Sequence, residues 1–149
     1  MTDSAVPGSR AALDLAQEEI IEEMAGLEDG LATYEYLVQL GRDHKLEEDG
    51  LRTDRYSVSG CQSRVWIRTE LQDGHVRILA DSDATITRGI IALLLRVLDG
   101  RSPAEIAGSE LYFLDRTGLS RHLSPARSNG LHAIVRRIRG FAEASVRAP

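Results

Sequence analysis

Cysteine is nearly absent from this sequence, with one residue, Cys61, in 149. A lone thiol excludes an internal disulfide framework and fits a reducing compartment. Histidine is sparse as well. His44, His75, His122 and His132 show no ligand spacing with one another or with Cys61, so no metal or iron–sulfur site held by this chain is expected. Long apolar runs are missing. The longest, Ile90 to Leu95, falls far short of the ~20 residues that cross a bilayer. Met1 to Gly8 has neither the basic start nor the apolar core of a signal peptide. We expect a cytosolic protein with no membrane partner. A surplus of positive charge is lacking too, and the net charge of −5 argues against a nucleic-acid partner.

What is present is an ordinary globular composition, 42% hydrophobic and 28% charged, in a length that fits one domain with a real core. Charge is unevenly spread. Residues 1–50 carry 13 acidic and 3 basic side chains, and residues 51–149 carry 10 acidic and 15 basic. Such asymmetry can steer a partner that has its own charge pattern, although a solvated acidic N-terminal face is the plainer account of it.

Residues 1–12 are expected to form a flexible tail and 13–146 a single domain. Leu13, Ala16, Ile20, Met24 and Leu27 recur at helical spacing and predict an amphipathic helix over 11–27. Asp29-Gly30 breaks it. A second helix fits 31–40, with Gly41 as its C-cap, and 42–54 reads as a charged loop. Val65 to Leu71 and His75 to Ala80 alternate on either side of Gln72-Asp73-Gly74, which predicts an antiparallel hairpin. A short third strand is expected around Tyr56 to Val58. Asp81-Ser82-Asp83 offers N-cap chemistry, with Asp83 as the cap of a helix over 84–98 that is apolar almost all round and therefore central. Ser102-Pro103-Ala104-Glu105 is a capping box with proline at the first helical position. Residues 111–119 read as irregular or a short turn. Ser124-Pro125 starts a last helix to about Val146, with Leu131, Ile134, Val135, Ile138 and Phe141 on its buried stripe. Helices on a small antiparallel sheet make an α+β fold.

Cys61 sits where a turn meets the first strand, in Ser59-Gly60-Cys61-Gln62-Ser63. A structural cysteine usually lies within an apolar run. Here a glycine beside it lets the backbone bend, a placement that suits a thiol presented to another molecule. A cysteine hydrolase or transferase, with His122 or His132 as base, is a second reading of the same thiol, but no oxyanion-hole motif accompanies it. A third is an adaptor that carries nothing.

Three segments stand out together: Gly60-Cys61-Gln62-Ser63-Arg64-Val65-Trp66; Ala80-Asp81-Ser82-Asp83-Ala84 with Gly89 after it; and His122 through Leu131. In order and spacing they closely resemble the SufE family, sulfur acceptors of cysteine desulfurases in iron–sulfur cluster assembly. The resemblance covers roughly residues 15 to 145. It implies a SufE/IscU-like α+β fold with the cysteine on a loop at one end. It implies that Cys61 accepts persulfide sulfur from a SufS-like desulfurase, stimulates that enzyme and passes the sulfur to a cluster scaffold complex. It implies no cofactor on this chain, since the pyridoxal phosphate belongs to the partner, and no turnover by this chain alone. A homodimer is left open. Gly60, Gln62, Ser63, Asp83 and Arg127 match positions that would support the loop or face the partner. Arg55 and Arg64, near Cys61 in sequence, would favour its thiolate electrostatically.

Overall fold

The computed structural model describes residues 10–27, 29–46, 50–60 and 63–147. The elements run α1 (Arg10–Met24), α2 (Gly30–Asp43), β1 (Val65–Gln72), β2 (His75–Ser82), α3 (Thr85–Leu98), α4 (Pro103–Ala107), α5 (Phe113–Arg116) and α6 (Pro125–Arg147). Single 3-10 turns lie at Asp54–Tyr56 and Leu119–His122. The expected boundary at residue 13 falls inside the first turn of α1.

The architecture is α+β, as the patterning predicts. β1 and β2 pair antiparallel from Val65↔Ser82 to Gln72↔His75, closed by the turn where Asp73 takes a positive φ of 55° and Gly74 one of 81°. Side chains alternate across a strand, and both faces of this hairpin are covered. Val65, Ile67, Val76, Ile78 and Ala80 meet the helices, whereas Trp66 and Leu79 pack with Leu51 under the segment that precedes β1. The outer side of β2 is also occupied. Val76 N–H donates to the Arg101 carbonyl (2.7 Å) and Asp99 Oδ1 accepts from Ile78 N–H (2.7 Å), which blunts an edge that would otherwise be open to pairing.

α3 is the central helix. Nine of its residues are buried, among them Ile86, Ile90, Leu93, Leu94 and Leu98. α1 contributes Leu13, Ile20 and Met24 to the same core, and α6 contributes Leu131, Ile134 and Ile138. The capping box at Ser102 and Glu105 forms with both of its hydrogen bonds.

The structure corrects four expectations. α2 does not stop at Gly41 but runs on to Asp43, and Gly41 is a packing residue: a Cβ there would lie 2.0 Å from the Thr85 carbonyl oxygen. The strand expected around Tyr56 to Val58 is reduced to one bridge, Ser57↔Trp66, following a 3-10 turn. Within 111–119 a short helix, α5, forms around the buried Phe113. Asp83 does not cap α3; the N-cap position is Ala84, without a side-chain bond, and the Asp83 carboxylate is instead engaged by the Arg64 N–H at 3.1 Å.

Candidate functional site

Cys61 and Gln62 lie outside the described residues, so the site is built from what flanks them. Upstream, Val58 N–H donates to the Val65 carbonyl at 2.9 Å, which closes the neck of the segment that carries Cys61. Gly60 has φ +91°, the left-handed region that glycine enters without a Cβ penalty. It also abuts α6, since a Cβ at Gly60 would stand 3.6 Å from Ala133 Cβ.

Downstream, the chain is clamped. Ser63 Oγ hydrogen-bonds Thr87 Oγ1 in the first turn of α3 at 3.1 Å. Arg64 is held on both sides of its backbone. Its N–H donates to Asp83 Oδ1 at 3.1 Å, and its carbonyl accepts from Ser82 Oγ at 2.7 Å and from Asp83 N–H at 3.2 Å. Asp83 thus ties the end of β2 to the exit of the cysteine segment.

Ser63, Thr87 and Arg127 come together with Ile90, Gly130, Leu131 and Ile134 around a narrow cleft of about 10 Å³ between α3 and α6. That is room for about one water molecule. Its lining is mostly apolar, with Ser63, Thr87 and Arg127 as the polar members. Arg127 stands in the first turn of α6, where Ser124 Oγ caps its backbone N–H at 3.2 Å. A cation at a helix N-terminus gains nothing from the helix dipole. Among the described residues no carboxylate pairs with it.

The two arginines expected to act on the thiol rest on aromatic rings. Arg64 Cζ lies 5.3 Å from the centroid of Trp66 and Arg55 Cζ lies 5.4 Å from that of Tyr56. His122 is elsewhere, its ring 3.5 Å from where a Cβ on Gly30 would stand at the start of α2, and it does not line the cleft. His132 is exposed on α6. Among the described residues no group of three or more His, Cys, Asp or Glu is placed to hold a metal ion, and no helix is long and apolar enough to cross a membrane.

Sequence reasoning misses the ionic node beneath the site. Asp81 is 3% exposed. Its Oδ2 accepts from Arg52 Nε (3.0 Å) and Nη2 (2.9 Å), and its Oδ1 accepts from Arg88 Nη1 (2.7 Å). Arg88 also donates to the backbone carbonyls of Gly41 and His44, and Arg52 lies 4.7 Å over Trp66. A buried carboxylate needs such partners. The available signal was Arg88 standing inside the apolar stretch of α3, a position where a cation requires a counter-charge.

A family model described as SufE: Fe-S metabolism associated domain matches residues 18–142. An uncharacterized SufE-like protein of Rhizobium meliloti (strain 1021) is 34% identical over 131 residues, covering 85% of this chain and 94% of that protein. Another SufE-like protein, of Rhizobium etli, is 37% identical over 136 residues, covering 88% and 90%. The solution structure of a hypothetical protein from Thermus thermophilus superposes with a TM-score of 0.72, over 89% of this chain and 97% of that one, at 20% identity. This last likeness is one of fold.

Proposed function

The chain belongs to the SufE family of Fe–S metabolism-associated domains, and from that premise we propose that it is a sulfur carrier whose acceptor is Cys61. The Cys61 thiolate attacks the outer sulfur of a persulfide on the cysteine of a desulfurase. The S–S bond within the donor breaks, a new S–S bond forms on Cys61, and the donor's cysteine leaves as thiolate. The exchange is a thiol–disulfide reaction with no net redox change. The pyridoxal phosphate that releases sulfur from cysteine resides on the desulfurase. The carrier then hands its outer sulfur to a scaffold protein by the same exchange, and by itself it turns nothing over.

Most support comes from the frame around residues 61 and 62. One flank is a left-handed glycine against α6; the other is a serine bonded to α3 and an arginine backbone held by Asp83. Ser63, two residues after the proposed acceptor in the sequence, lines with Arg127 the small apolar cleft between α3 and α6. A persulfide sheltered from water and oxidants lasts longer than an exposed one, and a cation nearby favours the thiolate.

Incubation with a SufS-type desulfurase and cysteine, followed by intact mass measurement without reductant, should add one sulfur atom that maps to position 61. Cys61→Ser should abolish both that gain and stimulation of the desulfurase while still binding it. Stimulation undiminished by Cys61→Ser would sink the carrier reading in favour of an adaptor.

A further inference from the structure

The chain has more acidic than basic side chains, 23 against 18, yet five arginines around the cysteine segment have no carboxylate partner among the described residues. They are Arg55, Arg64, Arg127, Arg136 and Arg137. Arg55 lies on the 3-10 turn that leads into the segment, Arg64 at its exit, and the other three on α6, the helix that Gly60 abuts. Four of the five are exposed and Arg127 is half-buried. The acidic residues in the same stretch are Asp54, which pairs with none of them, and Asp83, whose carboxylate is engaged by the Arg64 backbone. Most of the acidic excess sits in residues 1–50.

Three of the arginines are also held in place without being neutralised. Arg55 lies over Tyr56, Arg64 over Trp66, and Arg137 Nη1 reaches the Ser57 carbonyl at 3.5 Å. Stacked guanidiniums keep their charge and their remaining donors while losing less freedom when they bind. We infer that this arginine collar is the docking surface for the sulfur donor, and that the donor presents an acidic surface around its persulfide cysteine. The inference rests on the carrier reading and adds to it the chemistry of the partner's face. Opposite charge around two cysteines that must meet speeds encounter and fixes orientation. The shortage of nearby carboxylates on the carrier itself keeps the collar available.

The test uses the full chain and a SufS-type desulfurase, reading the carrier concentration that gives half-maximal stimulation. Raising salt from about 0.05 to 0.5 M should increase that concentration about tenfold, because screening shortens the reach of exposed charges. Arg55→Glu and Arg136→Glu should each raise it about five- to tenfold at low salt, with folding checked by circular dichroism. Arg116→Glu makes the same change in net charge on α5, which packs against α1, and should shift it less than twofold. Collar reversals no worse than Arg116→Glu, or half-saturation indifferent to salt, would overturn the inference. If they fail in that way while Cys61→Ser still abolishes transfer, the carrier reading survives alone. If Cys61→Ser stimulates the desulfurase undiminished while salt-sensitive docking persists, the carrier reading falls and the collar stands as the surface of an adaptor.

Discussion

A single buried amide shows how much of this fold depends on individual polar groups. Gln17 is fully buried on the core face of α1, one turn from Leu13 and less than a turn from Ile20. Its Nε2 donates to the Glu110 carbonyl (3.0 Å) and to Asp14 Oδ1 (3.2 Å), and its Oε1 accepts from the buried Phe113 N–H (3.1 Å). It supplies the backbone partners that the irregular 109–113 stretch cannot find in a helix or sheet, and so lets Phe113 enter the core. Gln17→Leu keeps the volume but strands the Phe113 N–H and the Glu110 carbonyl. Each unsatisfied buried group costs about 1–3 kcal/mol, more than the gain from a leucine that inherits a polar site. Urea unfolding should show a net loss of about 2–4 kcal/mol, and a loss below about 0.5 kcal/mol would mean that water replaces the amide. At the same scale, the cysteine segment was legible because glycine, small polar residues and a lone thiol form a local pattern. Asp81 was not, because its partner Arg52 is 29 residues away in sequence, its partner Arg88 lies on the next element, and adjacent Asp-Ser-Asp chemistry reads as a cap. No side chain caps α3, and Asp83 instead holds the Arg64 N–H.

Among the elements, α2 and α3 make the closest approach. A Cβ at Gly89 would lie 2.1 Å from the Leu37 carbonyl oxygen and one at Gly41 would lie 2.0 Å from that of Thr85. The two contacts descend α2 as they ascend α3, so the helices cross antiparallel with backbone against backbone. Alanine at either glycine gains about 1 kcal/mol of helix propensity. It also forces a rigid carbonyl back by more than an ångström along a packed interface, which outweighs the gain. Gly89→Ala and Gly41→Ala should each destabilise by about 2–3 kcal/mol in urea titrations. The double variant should cost clearly less than the sum, because the first methyl already separates the helices for the second. Gly140→Ala, on α6 with nothing within 4 Å of its Cβ position, should instead be neutral or slightly stabilising, and strict additivity of the first pair would refute a shared contact. This interface also explains the misread end of α2. A glycine late in an amphipathic helix signals a C-cap when only its own helix is considered, and only the partner helix shows that it is there for clearance. By contrast, the hairpin, α3, α4 and α6 were readable because periodicity, turn residues and the Ser-Pro starts all act locally. The helix around Phe113 has only four residues, too few to show a period, and depends on Gln17 for its anchorage.

For the whole molecule, stability should show a plateau whose acid edge, and part of whose alkaline edge, arise from one cluster joining α1, α2 and α3. Arg96 binds Glu23 through both carboxylate oxygens (2.9 and 2.7 Å), and Tyr36 Oη donates to Glu23 Oε1 at 3.0 Å. The hydrogen bonds from Arg96 hold the Glu23 carboxyl below its ordinary range. Its unfolded form therefore binds more protons in acid, so its stabilisation is present above about pH 4.5 and is lost as pH falls through the lowered folded value. Tyr36 moves the other way. Burial first, then its bond to Glu23, push its phenol up to about 12, so the folded state keeps a proton that the unfolded state releases from about pH 10. That contribution is intact below pH 10 and disappears as pH rises toward 12. Tyr112, desolvated and bonded to Glu18, is likewise pushed up to about 12 and shares this alkaline limb. Each limb should be much shallower than the ~1.4 kcal/mol per pH unit that one proton sets as a ceiling, because these groups lie partly in solvent. Urea midpoints measured from pH 3 to 12 should fall at both ends. Tyr36→Phe should flatten part of the decline between pH 10 and 12, and adding Tyr112→Phe should flatten more, while the acid limb persists in both. Arg96→Met should shrink the acid limb, since Arg96 supplies the first cause of the Glu23 shift. An alkaline limb unchanged in the double tyrosine variant would show that other groups set the upper edge.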